Sequence, residues 1–276
     1  MITPSITCLT MPNKYNLNQC HLSLSYSYNN IVRIHRVYCK SVSESDKKFN
    51  IDDAQSHHLI RALRLKADDL IEVFDGNGNS GLCKIEELSN KTCKLLRVEE
   101  IKKDAPPKRK LTVVIPFIKR NNFNFMIQKL TEIGVNNFMI YKSDLSDQSI
   151  VKKDHSKIIS KIEEITISVC KQCGNNFLPV VLDFPSLENA IKDIDKNNKV
   201  YLFDTEASDY FVQEELDNDS SVTIITGPES GFSQSELKAI TDNNNIKKRY
   251  LGKNILRSET APIVVSSIIR NHFGRI

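Results

Sequence analysis

No run of apolar residues in this 276-residue sequence is long enough to cross a membrane. The longest stretches, such as 263–269, fall well short of the roughly 20 residues that a spanning helix needs. A disulfide framework is also missing. The seven cysteines are odd in number and scattered, and no secretory signal precedes them, which points to reduced thiols in the cytoplasm. The sequence holds no Gly-x-x-x-x-Gly-Lys-Ser/Thr phosphate loop and no Gly-x-Ser-x-Gly elbow, so the nucleotide hydrolases and serine hydrolases built on them are excluded. Residues 1–30 lack Asp and Glu altogether and are rich in Ser, Asn and Tyr without periodicity. They also lack the arginines of a transit peptide, so the expectation is a disordered N-terminal extension without a functional role. Finally, there is no strong charge imbalance. A formal charge of +4 permits a nucleic-acid partner without demanding one.

What is present is a chain with 40% hydrophobic residues, enough for two modest cores or one large one. Strand-like composition begins at 31–38. A short helix fits Ser56 to Leu63, with Leu59, Ile60 and Leu63 at helical spacing. Strand-like runs follow at 69–74, 81–87 and 91–98, a pattern that suggests a small β-barrel. Residues 102–110, with two prolines among lysines, read as an exposed connector, and the domain boundary is placed at 104/105. Beyond it the rhythm changes. Apolar strands at 111–116, 137–141, 179–182, 200–203 and 222–226 alternate with helices at 123–133, 154–172, 186–194, 233–241 and 261–271. Such alternation predicts an α/β domain with a largely parallel sheet.

Three motifs mislead. Gly76-Asn77-Gly78-Asn79-Ser80-Gly81 has the spacing of a dinucleotide loop, but Leu82-Cys83-Lys84-Ile85 reads as another strand where a helix is required, so a hairpin is expected. The same stretch imitates a calcium loop, yet Ser80 stands where the sharp turn needs Gly, and the flanks are strands. Cys170 and Cys173 form a Cys-x-x-Cys pair with no second pair at zinc spacing, at the end of a helix rather than the start of one. The His57-His58 pair reads as one face of the short helix. No metal is expected.

Two C-terminal segments carry the chemistry. In Thr226-Gly227-Pro228-Glu229-Ser230-Gly231-Phe232-Ser233 a buried strand ends in a tight turn, and Ser233 with Glu236 opens the next helix as a capping box. Glycines on both sides of the Pro-Glu pair let backbone approach a ligand, at the strand end where open α/β sheets bind ligands. In Leu251-Gly252-Lys253-Asn254-Ile255-Leu256-Arg257-Ser258-Glu259-Thr260 a loop leads into a helix capped by Ser258 or Thr260, with Pro262 in its first turn. Arg257 stands just before that helix, placed to pair with phosphate or to stabilise an oxyanion, or to serve as a purely structural cap.

These two segments resemble the last two knot motifs of the SPOUT methyltransferases. The closer resemblance is to the RsmE family, which methylates N3 of a uridine in small-subunit ribosomal RNA. His57 to Leu65 and Val73-Phe74-Asp75-Gly76 look like that family's PUA-like barrel, Ile127 to Val135 like its first catalytic-domain helix, and Gln172-Cys173-Gly174-Asn175 like a further family segment. The sequence departs from the family's pattern at Ser230, usually Gly, at Lys171, usually Glu, at Pro262, usually small or apolar, and at Asn122 and Asn124, usually charged.

The resemblance implies an α/β fold in which a PUA-like β-barrel (31–104) precedes a SPOUT domain (105–276) with a deep trefoil knot. It implies S-adenosyl-L-methionine as cofactor, held by Phe203, Thr226, Gly227, Pro228, Gly231, Leu251, Gly252, Ile255, Leu256 and Thr260. Arg257 would stabilise charge on the target base, with Glu229 or Glu259 as proton acceptor. Arg33, Arg36, Arg61, Arg64, Lys66, Lys119, Arg120 and Lys129 would meet RNA phosphates. The partners implied are 16S ribosomal RNA in the small subunit and a second copy of the chain, a homodimer. Two alternatives stay open: a SPOUT enzyme acting on transfer RNA or large-subunit RNA, and a non-catalytic RNA-binding assembly factor.

Overall fold

The computed structural model describes residues 34–44, 46–51, 55–56, 59–60, 63–89, 92–146 and 155–274. The expected extension at 1–30, Arg33, Arg61 and the His57-His58 pair lie outside them, as does half of the helix expected at Ser56–Leu63. Within them no helix is long and apolar enough to cross a membrane.

The N-terminal part is a six-stranded sheet around one core. Its strands are β1 (His35–Tyr38), β2 (Lys48–Ile51), β3 (Leu70–Phe74), β4 (Asn79–Leu88), β5 (Cys93–Arg97) and β6 (Lys102–Lys103), in the order β1-β3-β4-β5-β2 with β6 against β4. Alternation decides which side chains turn inward. Ile71 and Val73, Cys83 and Ile85, Cys93 and Leu95 all enter the same core. The Gly-rich stretch is the β3–β4 hairpin, with Gly76 at φ +79° and Gly78 at φ +94°. The carboxylate of Asp75 is spent inside this turn. It accepts from the Asn77 N–H at 2.7 Å and from the Asn79 side-chain amide at 2.6 Å.

The second part is a parallel sheet with helices on both faces. Its strands are β7 (Leu111–Pro116), β8 (Asn137–Tyr141), β9 (Val180–Phe184), β10 (Lys199–Phe203), β11 (Val222–Thr226) and β12 (Ile246–Arg249), in the order β12-β10-β11-β7-β8-β9. The helices are α1 (Arg120–Ile133), α2 (His155–Cys173), α3 (Leu187–Lys192), α4 (Gln234–Thr241) and α5 (Thr260–His272). All six residues of β7 are buried, as a strand covered on both faces requires. Val113 and Ile115 pack with Met126, Ile127 and Leu130 of α1 and with Val265 and Ile269 of α5. Val114 faces the other way, toward Leu187 and Ile191 of α3 and Ile240 of α4. Gly134 ends α1 at φ +90°, the left-handed cap that glycine takes most readily.

The structure corrects three expectations. Lys102 and Lys103 are not free connector; they pair with Ser80 and Asn79 as β6. Neither Ser258 nor Thr260 caps α5 with its side chain. Glu259 holds the N-cap position, and the Thr260 and Ala261 N–H groups reach the Arg257 carbonyl instead. Arg36 is not a surface cation. Its side chain is 11% exposed and paired with Glu72 at 2.9 Å. Its Nη1 donates to the Cys170 carbonyl at 2.7 Å, its Nη2 donates to Asn176, and the guanidinium lies over the Phe74 ring.

Arg36 therefore bolts the barrel to the end of α2. Other bonds cross the same junction: Gly78 N–H to the Asn176 carbonyl, Leu178 N–H to the Gly76 carbonyl, and the Asn176 amide to Asp104. Lys171 adds a 3.2 Å bond to Gln55. Gly78 is required twice over, by its positive φ and because a Cβ there would sit 2.4 Å from the Phe177 ring.

Candidate active site

Strands β12, β10 and β11 lie side by side and parallel, so their C-terminal ends release three loops at one edge of the sheet. These loops enclose a cavity of about 550 Å³. Its wall includes nine of the ten positions named above for the cofactor: Phe203 from β10, Thr226, Gly227, Pro228 and Gly231 from the β11 loop, and Leu251, Gly252, Ile255 and Leu256 from the β12 loop. Thr260 is not on the wall; it is the first residue of α5. Of the acid–base residues, Arg257 and Glu229 line the cavity, and Glu259 does not. Glu259 is buried behind Ser258, whose hydroxyl approaches it at 3.4 Å.

Each loop is held from below. The buried Tyr141 hydroxyl donates to the Thr226 carbonyl at 3.1 Å, and burial together with nearby Glu236 pushes that phenol well above its usual range. The predicted capping box is formed, with Ser233 and Glu236 satisfying each other's backbone N–H. The Asp144 carboxylate accepts from the Ser233 and Ser235 hydroxyls at 2.6 and 2.5 Å. Those two bonds hold its pKa below the usual carboxylate range. On the other side Arg249 grips Glu215 through two bonds of 2.7 and 2.6 Å, anchoring the segment that follows β10 against β12. Packing fixes the turn itself: a Cβ on Gly227 would lie 2.9 Å from the Phe232 ring.

Ser230, a departure from the resembled family's pattern, has a visible task. Its hydroxyl donates to the Leu145 carbonyl at 3.1 Å, tying the β11 loop to the loop after β8. One exposed hydrogen bond contributes about 1 kcal/mol. Ser230→Gly is therefore expected to weaken binding of S-adenosylmethionine about fivefold by calorimetry, with folding unchanged.

The donor set suits a nucleoside with an alkyl sulfonium tail. Phe203, Pro228, Leu251 and Leu256 offer apolar walls to a base, while Asp204 and Glu206 place carboxylates on the same wall, suited to ribose hydroxyls. The Thr226 hydroxyl is buried at the cavity with no hydrogen-bond partner among the described residues, and a ligand donor or acceptor would satisfy it. Sequence reading missed Asp204, Glu206, Tyr250 and Asn254. The only signal for Asp204 was its place directly after a buried strand.

The comparisons with known proteins agree with this geometry. Residues 105–270 match the RNA methyltransferase domain family, and residues 51–96 match the RNA methyltransferase PUA domain family. The chain is 30% identical over 222 residues to a ribosomal RNA small subunit methyltransferase E of Mesomycoplasma hyopneumoniae, covering 80% of this chain and 94% of that one. The chain belongs to this methyltransferase family. A relative of the same name from Buchnera aphidicola is 26% identical over 244 residues, covering 88% of this chain and 95% of its own. The fold is that of a Neisseria gonorrhoeae methyltransferase E solved with bound S-adenosyl methionine, at a TM-score of 0.77 and 22% identity, over 87% of this chain and 98% of that one.

Among the RNA candidates, Lys119 and Arg120 are exposed at the start of α1, and the Lys119 ammonium lies 4.0 Å from Glu229 at the cavity wall. Lys129 is tied to Glu132 at 2.9 Å. Arg64 and Lys66 lie on the barrel, Arg64 at φ +55°.

Proposed function

We propose that this protein methylates N3 of a uridine in small-subunit 16S ribosomal RNA, in the cytoplasm, with S-adenosyl-L-methionine as donor. The observation that carries the reading is the cavity at three adjacent strand ends, with Arg257 on its wall. When bound there, S-adenosyl-L-methionine supplies an electrophilic methyl group. Everything else falls to the chain. Backbone and apolar side chains of the three loops exclude water and fix orientation, which is the main requirement of a direct displacement. Uracil N3 must lose a proton, and the negative charge spreads onto the ring carbonyls. Arg257 stabilises that charge. Glu229, exposed and on the wall, is better placed to take the proton than Glu259, which lies buried behind Ser258.

Lys119, Arg120, Arg64 and Lys66 hold phosphates. Arg36 drops from that set because its guanidinium is consumed within the fold. The strand order supports the trefoil knot. The chain leaves β10 for β11 on one side and returns to β12 on the other, so the second connection passes back over β10, as a knotted path would require. A homodimer is part of the reading, supported by the exposed apolar side chains of Ile255 and Val264, and light scattering would reveal a monomer instead.

The test is nucleoside mass spectrometry of ribosomal RNA from cells with and without the gene. Loss of a single N3-methyluridine from the small-subunit RNA is expected; an unchanged nucleoside profile refutes the reading. Glu229→Gln is expected to lower the methylation rate at neutral pH by about a hundredfold, with Glu259→Gln close to wild type. The opposite order would assign the proton to Glu259.

A further inference from the structure

Outside the cavity, one pair of reactive groups stands apart at the seam between the barrel and α2. Cys170 is fully buried and Cys173 is exposed, one helical turn further along α2. The Cys170 thiol donates to the Phe177 carbonyl at 3.7 Å. After Cys173 the chain turns through Gly174 at φ +85°. Arg36 completes the setting by donating to the Cys170 carbonyl at 2.7 Å. A helix C-terminus normally disfavours an anion, and the guanidinium offsets that. We propose that Cys170 and Cys173 form an oxidisable dithiol, a site of covalent modification by small hydroperoxides that closes to an intramolecular disulfide.

The roles follow from exposure and bonding. Cys173 is the attacking thiol, since it is exposed where Cys170 is buried. The neighbouring Cys170 thiol, then the Asn175 N–H and the Arg36 charge, lower its pKa below the ordinary thiol range, which favours the thiolate. The neighbouring Cys173 and burial raise the pKa of Cys170, which keeps that thiol protonated. The other thiols whose ionisation is shifted point the opposite way: burial pushes Cys83 up to about 12 and Cys93 up to about 11. An accessible thiolate with a resolving partner beside it is the arrangement of peroxide-sensitive cysteines.

The steps balance. The Cys173 thiolate attacks the terminal peroxide oxygen; an S–O bond forms, the O–O bond breaks, and the leaving hydroxide or alkoxide takes a proton from solvent. Sulfur is oxidised to the sulfenic acid and the peroxide is reduced to water or alcohol. The Cys170 sulfur, giving its proton to the departing hydroxyl, then attacks Cys173. The S–S bond forms, the S–O bond breaks, and water leaves. Two α-carbons one helical turn apart lie within reach of a disulfide. Closing it costs the 3.7 Å bond from the Cys170 thiol to the Phe177 carbonyl, at the seam with the hairpin.

The experiment treats the folded protein with graded hydrogen peroxide, quenches with an alkylating reagent, and maps thiols by peptide mass spectrometry. A Cys170–Cys173 peptide lighter by two hydrogens is expected first, at least tenfold faster than any change at Cys39, Cys83 or Cys93. Cys173→Ser, a change at an exposed position, should abolish it. Cys170→Ser should leave a sulfenic acid at Cys173 that dimedone traps. Oxidation of Cys39 ahead of Cys173, or a linkage that persists in the Cys173→Ser variant, overturns the proposal. The wild-type rate order decides even if Cys170→Ser fails to fold.

Discussion

Replacing Arg257 by alanine is expected to reduce methyl transfer by at least a hundredfold while leaving the dissociation constant for S-adenosylmethionine within a factor of about two to three. Arg257 lies on the cavity wall, and no ion pair or hydrogen bond engages its guanidinium among the described residues. Its neighbours in the chain are fixed. Its own carbonyl receives the Thr260 and Ala261 N–H groups at 2.9 and 3.0 Å, so the first turn of α5 positions the residue without consuming its charge. A cation held by its backbone, with its tip unengaged among the described residues, is available to the charge that the proposed reaction would develop on the base. Single-turnover kinetics alongside calorimetry separate the two effects. If affinity for the methyl donor collapsed with the rate, Arg257 would be a binding residue. If turnover survived, it would have no part in the chemistry. Lysine at this position should recover little, because a point charge on a flexible stem does not reproduce a planar fork.

How much of this was legible beforehand depended on whether a feature leaves a local trace. β7 was plain because all its side chains are buried, and a strand covered on both faces must be apolar throughout. The end of α1 was plain because Gly134 sits where a left-handed residue is needed, and the β11 turn because Ser233 and Glu236 stand at capping-box spacing. β12 was invisible. Ile246-Lys247-Lys248-Arg249 carries three cations in four residues, and only pairing with β10 at the edge of the sheet makes it a strand. β2 and β6 were missed for the same reason, being short and defined by partners distant in sequence. At the site, the β11 loop was readable from glycines beside a strand end, and the β12 loop from its run into the helix that follows. The carboxylates of Asp204 and Glu206 were not, since nothing in one sequence says that the loop after β10 folds back beside the other two. The cap of α5 went wrong because Ser258 and Thr260 both have the right chemistry, and only the backbone at Glu259 decides between them.

Arg36 shows the limit most clearly and leads to the second large effect. Read alone, it is one more cation near a nucleic-acid-binding barrel. In the fold it joins residues 134 and 140 positions away. Arg36→Ala is therefore expected to cost about 2–3 kcal/mol of stability, since it removes several charge-assisted bonds and leaves the Glu72 carboxylate without its cation. Glu72 keeps some solvent, with its side chain 36% exposed, which holds the figure below that of a fully buried pair. Denaturant unfolding would measure the loss. The alternative, a phosphate contact, makes a different forecast: stability unchanged, RNA affinity reduced, and a shallower dependence of that affinity on salt. Arg36→Lys discriminates further. A lysine would keep an attraction for phosphate yet cannot donate to Glu72, Cys170 and Asn176 at once, so it should destabilise the fold nearly as much as alanine. Should Arg36→Lys fold as well as the wild type, the bolt between the barrel and α2 would have to be sought in the Gly78 and Asn176 backbone bonds instead.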